Sequence, residues 1–413
     1  MKSLKYFALS TILLFVVIPL LNFAKAQDDS NDDGWQVLFN GKDLTGWELL
    51  NGQHEVEVRD GLIIGTAVTG LPNGFVTYTE EEFGDFILEL EVKADLRLHN
   101  SGIQFRSLST DEYRDGRVYG YQAEVNITPQ QWSGGIYDEA RRGWLYILEG
   151  DNPAREAFKN NQWNHYRIEA FGTMNRIWVN GIPTSHLVDD MTTEGLIALQ
   201  IHGNVRPQMP QTNHDVYFRN IRIKTENIEP SPFDDIFVMN LIPNTVSGQE
   251  EHQGFSLLWN GQDLDGWQGA DGREEPADGW QIEDGVLTID YGDESVILTE
   301  DQYGPFELKF DFMQHEEHGE PGIGYLVQEA SESNSPGTSG TYGQLTARQA
   351  DDVREWNKGV IKVLPDGVVQ YWLNGYEILE YYLDSDQSTQ GHIRLIGTNS
   401  PISYRSIKLR LLD

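Results

Sequence analysis

Phe86-Ile87-Leu88-Glu89-Leu90-Glu91-Val92 settles into a strict alternation of apolar and acidic side chains. A strand with that pattern buries one face and leaves the other in water. Tyr166-Arg167-Ile168-Glu169-Ala170 repeats the period of two. Asn180-Gly181 and Asn374-Gly375 each follow a short β-rich run and read as tight hairpin turns. No stretch of useful length carries a 3.6-residue period. Many short strands punctuated by Gly and Asn predict an all-β chain built as a two-sheet sandwich or jelly roll.

The chain contains that unit twice. Leu38-Phe39-Asn40-Gly41-Lys42-Asp43-Leu44-Thr45-Gly46-Trp47 recurs as Leu258-Trp259-Asn260-Gly261-Gln262-Asp263-Leu264-Asp265-Gly266-Trp267. Trp178-Val179-Asn180-Gly181 recurs as Trp372-Leu373-Asn374-Gly375, at a shorter offset, so the second copy lacks a segment between positions 106 and 163. An internal repeat of this length predicts tandem domains. The predicted boundaries are 34–225 for the first copy, 226–253 for a linker and 254–413 for the second copy. Within the linker, Phe233 to Ile242 is apolar enough to dock somewhere.

The 413 residues hold 30 Lys plus Arg against 65 Asp plus Glu, a formal charge of −35. So acidic a chain repels phosphate backbones and anionic lipid heads, which argues against nucleic acid and acidic membrane surfaces as partners. Lys2 and Lys5, the apolar run from Leu9 to Phe23 and Ala24-Lys25-Ala26 have the form of a secretory signal over residues 1–26. A secreted or periplasmic protein is expected, with no membrane span once the signal is cleaved. There is no Cys, so stability must come from core burial without disulfides.

Alternation also sorts the polar residues. In Gly102-Ile103-Gln104-Phe105-Arg106 the apolar pair points one way, and Gln104 and Arg106 the other. Gln122 and Glu124 share a face of Tyr121–Val125, as do Gln200 and His202 at the end of Ala198–His202. If these strands adjoin, an Arg, a Glu, a His and three Gln line one concave surface. Amides and Arg suit hydroxyls and carbonyls, while Glu and His suit proton transfer, so the surface fits a neutral polyol. Residues 131–144, with Trp132, Tyr137 and Trp144, read as a long loop able to stack a sugar. The second copy aligns Gly324 with Gln104, Leu326 with Arg106, Ile396 with Gln200 and Thr398 with His202, so it keeps the scaffold and loses the polar set. Glu89 and Glu91 are a poor match to the paired carboxylates of a laminarinase-type glucanase and read as exposed strand residues.

The motifs LFNGKDLTGW (38–47), TEEEFGDFILELEV (79–92), NSGIQFRS (100–107), GYQAEV (120–125), GGIY (134–137), WVNG (178–181) and GLIALQIHG (195–203) resemble the 3-keto-disaccharide hydrolase domain family. Residues 254–413 resemble a divergent member. The resemblance implies tandem concanavalin-like sandwiches and action on glycosides already oxidised at sugar C3. Such an enzyme removes the C2 proton, expels the C1 substituent and hydrates the enone. On that reading His202 and Glu124 are the acid–base pair, and Arg106 and Gln200 hold the keto oxygen. Asn100 and Tyr137 orient the sugar, and Gln104, Gln122, Trp132 and Trp144 line its site. Glu124 and His202 are also the residues that would bind a divalent metal ion, if one is used. The alternative is a non-catalytic carbohydrate-binding protein using the same face. A third class, an adhesion or scaffold protein, predicts that these residues scatter.

Overall fold

The computed structural model describes residues 34–94, 100–150, 152–203, 215–269, 279–290, 296–316, 322–327, 355–383, 388–396 and 401–413. The predicted signal at 1–26 lies outside them. No described helix is long and apolar enough to cross a membrane.

The alternating segments form four sheets among the described residues, two per copy. In the first copy one sheet runs Met239–Asn240, Ile182–Val188, Met174–Val179, Asn164–Phe171, Phe86–Ala94, Asp215–Lys224, Leu62–Thr66 and Glu55–Arg59, with Trp35–Val37 also on Asp215–Lys224. The second sheet runs Gly143–Tyr146, Ile136–Glu139, Gly120–Asn126, Asn100–Ser107, Leu196–Ile201, Gly74–Tyr78 and Trp47–Leu50. Leu88, Leu90 and Val92 from the first sheet share a core with Ile103, Phe105, Ala123 and Leu199 from the second. Each of these Leu, Val, Ile and Phe side chains contributes roughly 1.5–3 kcal/mol on full burial, which is what holds the sheets together. On the opposite face of the first sheet Glu89 is paired with Arg167 (2.8 Å) and Arg222 (2.7 Å), and Glu91 with Arg219 (2.7 Å).

The sequence repeat is a structural repeat. Trp47 donates its indole N–H to the Leu38 carbonyl at 2.8 Å, and Trp267 to that of Leu258 at 3.0 Å. Asn40 Oδ1 accepts the amides of Lys42 and Asp43, as Asn260 Oδ1 accepts those of Gln262 and Asp263. Both Asn-Gly turns have positive φ at both residues, 52° and 78° for Asn180-Gly181 and 48° and 85° for Asn374-Gly375, the geometry that selects this pair.

Residues 226–253 are folded onto both copies. Met239–Asn240 adds a parallel strand to Ile182–Val188, and Phe237, Met239 and Leu241 pack on the first core, so the apolar stretch does dock. The short helix Gly248–His252 carries a Ser247/Glu250 capping box. The same Glu250 is buried against two lysines of the second copy, Lys408 at 2.7 Å and Lys309 at 3.6 Å. Burial raises its pKa, but Lys408 and Lys309 outweigh that and hold it at about 2. Replacing Glu250 by Gln removes the main partner of the buried Lys408 and one of the two carboxylates facing Lys309, the other being Glu307, and is expected to cost about 3 kcal/mol or more in urea unfolding at pH 7. A depressed carboxyl stabilises above its unfolded value of 4.5 and loses that contribution as pH falls toward 2. The gap between wild type and variant should therefore close across that window.

Candidate functional site

The register of the seven-stranded sheet builds the site. Ala198, Gln104, Gln122 and Tyr137 form one row across four strands, and Gln200, Gly102 and Glu124 lie in the next row. Their neighbours Ile103, Ala123 and Leu199 enter the core, so these side chains point to the other face. Its centre is buried, with Gln104, Gln122, Glu124 and Gln200 each 1% exposed or less, while Asn100, Tyr137 and His202 beside them are half-buried and give access from solvent. Arg117 lies over the Phe75 ring at 5.0 Å and donates to the Asn73 carbonyl at 3.0 Å. Asn51 ties down the same segment through the Gly116 carbonyl (2.9 Å) and the Val118 amide (2.8 Å).

A chain of hydrogen bonds converges on Glu124. Ser107 Oγ donates to Gln104 Oε1 (2.8 Å), Gln104 Nε2 to Gln122 Oε1 (2.5 Å) and Gln122 Nε2 to Glu124 Oε2 (2.8 Å). Asn100 Nδ2 donates to the other carboxyl oxygen at 2.6 Å. Burial raises the pKa, Gln122 and Asn100 lower it, and the nearby Glu139 charge raises it again, leaving it at about 8. Glu124 is therefore mostly protonated at neutral pH, held there mainly by desolvation. Gly102 makes the arrangement possible, because a Cβ there would sit 2.3 Å from the Gln122 side chain. Gly102→Ala should push the Gln122 amide off Glu124. The expected result is an upward shift of the Glu124 titration in a carboxyl NMR experiment and a stability loss of about 1–3 kcal/mol.

A second carboxylate shares the face. Glu139 is ion-paired with Arg117 and accepts from Gln200 Nε2 at 3.2 Å and Asn73 Nδ2 at 3.5 Å. Asn73 Oδ1 in turn accepts the Gly203 amide at 2.8 Å. His202, half-buried, is the first residue past the Leu196–Ile201 strand, so the Asn73–Gly203 bond ties its backbone to the Glu139 side of the face. Sequence reading named Tyr137 but not Glu139, although the two are separated by one residue and alternation puts them on one face. The Tyr137 phenol is pushed above its usual pKa by burial and by the Glu139 and Glu124 carboxyls. Two acceptors, Gln200 Oε1 and Asn100 Oδ1, are buried with no hydrogen-bond partner among the described residues. An unmet buried acceptor costs about 1–3 kcal/mol, and a ligand hydroxyl is the kind of donor that would meet it.

Arg106 is not on this face. A bulge interrupts the pairing of Asn100–Ser107 with Leu196–Ile201, Arg106 has φ +47°, and period two slips by one residue there. Ser107 takes the outward position. The Arg106 guanidinium instead binds the Gly84 carbonyl (3.0 Å), the Gly172 carbonyl (2.7 Å), Asn175 Oδ1 (3.2 Å) and Asp85 Oδ1 (3.1 Å). It staples the two sheets together. The second copy keeps the bulge, with Leu326 at φ +55° and packed in its core. The exchange of Arg106 for Leu326 is thus an exchange of one sheet staple for another. Gln200 and Ile396 are true equivalents, since Gln200 lies opposite Gly102 and Ile396 opposite Gly322. At the Gln104 position Gly324 is covered by the Arg394 side chain, 2.9 Å from where a Cβ would stand. Thr398 lies outside the described residues.

Residues 131–144 are not a loop throughout, because Ile136–Glu139 and Gly143–Tyr146 form the edge of the sheet. Trp132 is buried in the core and offers no surface for stacking. Trp144 is 36% exposed, edge-on to Tyr137 at 5.1 Å and to Trp132 at 4.8 Å. Among the described residues no three His, Cys, Asp or Glu stand together as metal ligands. An ion held by Glu124 and His202 would have to ionise a carboxyl that burial keeps protonated.

No curated protein matches the chain. Among solved structures, a Parabacteroides distasonis ATCC 8503 protein provisionally assigned as a glycosyl hydrolase is 25% identical. It aligns over 42% of this chain and 100% of its own, with a TM-score of 0.36. The carbohydrate-binding module CBM66 of Bacillus subtilis is 18% identical over 43% of this chain and 95% of its own, with a TM-score of 0.32. A Bacillus subtilis protein of unknown function with a galectin-like fold is 12% identical over 46% of this chain and 94% of its own, with a TM-score of 0.36. The 3-keto-alpha-glucoside-1,2-lyase-like domain matches residues 34–224 and again 254–410, so the chain belongs to that domain family and carries its domain twice.

Proposed function

We propose that the face carrying Glu124 cleaves 3-keto-glycosides by elimination and hydration. The observation that supports this most is a buried carboxyl with a pKa of about 8, on one face with a second carboxylate and two acceptors that have no partner among the described residues. A C3 ketone acidifies the C2 hydrogen. His202 takes that proton, and the electron pair forms the enolate. The enolate collapses to a C1–C2 double bond as the C1–O bond breaks, and Glu124 gives its proton to the departing oxygen. Water then adds its oxygen to C1 and gives a proton to the Glu124 carboxylate, while His202, its proton exchanged with solvent, delivers one to C2, so both groups end as they began. Each positioned acid or base is worth about 10²–10⁴-fold. Arg106 has no part in this, and the oxyanion falls to the Tyr137 hydroxyl, which burial keeps protonated. Gln200 and Asn100 accept sugar hydroxyls, and Trp144 flanks the ring.

The test is incubation of the full chain with a 3-keto-glucoside bearing a chromogenic aglycone. Release is expected from the keto sugar and none from the unoxidised glucoside. Binding of the keto sugar without release would leave a carbohydrate-binding face in place of an enzyme.

A further inference from the structure

A cavity of about 490 Å³ lies between the two copies. The first copy supplies Tyr146 and Glu149, the connecting segment Phe237, and the second copy Lys362, Gln370 and Trp372. Its size falls in the range of small-molecule sites, and only the joined copies form it. The copies touch at its rim: a Cβ on Gly150 would stand 3.7 Å from the Trp372 ring, and one on Gly375 3.2 Å from Ile147. The buried Trp372 indole N–H has no hydrogen-bond partner among the described residues. Gln370 Nε2 donates to Glu380 at 2.9 Å, and Lys362 stands 5.5 Å from the Trp372 ring.

The lining carries carboxylates at Glu149, Glu377 and Glu380 together with ammonium groups at Lys358 and Lys362. Charges of both signs penalise a ligand with a net charge of either sign. A neutral ligand rich in hydroxyls can use the carboxylates as acceptors and the ammonium, amide and indole groups as donors. The Trp372 ring supplies an apolar surface for the sugar C–H groups. We propose that this cleft binds a neutral oligosaccharide, at a site separate from the face carrying Glu124. The strand Gly143–Tyr146 links the two places: Trp144 flanks the Glu124 face and Tyr146 lines the cleft.

Calorimetric titration of the full chain with maltotriose and with cellotriose tests this. At least one is expected to bind with one site per chain, and Trp372→Ala to weaken it about tenfold or more. Gln370→Ala, at a half-buried position whose side chain bonds only Glu380 among the described residues, should weaken it severalfold with little change in melting temperature. Tyr137→Ala, on the other face, should leave the affinity within about twofold. Absence of heat with both sugars overturns the proposal. So does an affinity unchanged in both cleft variants, or one lost in Tyr137→Ala instead.

Discussion

Glu124→Gln is expected to lower turnover of a 3-keto-glucoside by about 10²–10⁴-fold and to make the protein more stable at high pH. Both effects come from one carboxyl whose pKa is raised from 4.5 to about 8 by burial. Between those values the native state holds a proton that the unfolded chain releases, so stability falls as pH rises through the window. The native penalty reaches a few kcal/mol once pH passes the folded value. Gln carries no charge and removes that loss, although one of the flanking amides of Asn100 and Gln122 must turn to meet the new N–H. Urea unfolding at pH 6 and pH 9 should show the variant gaining on wild type between the two. The alkaline limb of wild-type kcat/KM should fall as Glu124 ionises near pH 8. In the variant that limb should be missing from the residual rate. A variant with full activity, or one with the wild-type alkaline limb, would remove Glu124 from the chemistry.

The second large effect belongs to Arg106, and it is on stability. Arg106→Ala leaves the Gly84 and Gly172 carbonyls and the Asn175 amide without their donor and opens a hole at the end of the sandwich. The buried Asn175 acceptor left without a donor and the cavity left by a fully buried side chain together predict about 3 kcal/mol, the Gly84 and Gly172 carbonyls being open enough to turn to water. The pair with Asp85 adds little, since that carboxylate is 56% exposed. Arg106→Leu should be milder than Arg106→Ala, because the second copy fills the same bulge with Leu326. Turnover per folded molecule should stay within about twofold in both variants. A selective loss of kcat at unchanged stability would return Arg106 to the site.

The contrast between these residues shows what alternation can and cannot carry. Period two placed Gln104, Gln122, Glu124 and Gln200 on one face, and the register agrees. It failed at Arg106, because a bulge inserts one residue and nothing in Phe105-Arg106-Ser107 announces a positive φ. A comparison of the copies held the clue: Gly195 and Gly391 are both glycines because a Cβ would strike the bulge, at 2.4 Å from the Ser107 carbonyl and 2.3 Å from Leu326. Glu139 was within reach of the same alternation. Its partners Asn73, Arg117 and Gln200 come from three distant segments, and only folding brings them to it. Burial was the quantity least visible in sequence. Polar residues on an outer sheet face are ordinarily solvated, and Asn51, Arg117 and Val118, which pack over the Phe75 side of this face, carry no pattern that says so.

The most direct test follows the C2 hydrogen. A 3-keto-glucoside cleaved in D₂O should yield 3-ketoglucose deuterated at C2 at the earliest times measurable by NMR, ahead of the exchange seen in enzyme-free product. Product that retains its C2 hydrogen when first released, or equal cleavage of the unoxidised glucoside, would contradict the elimination route.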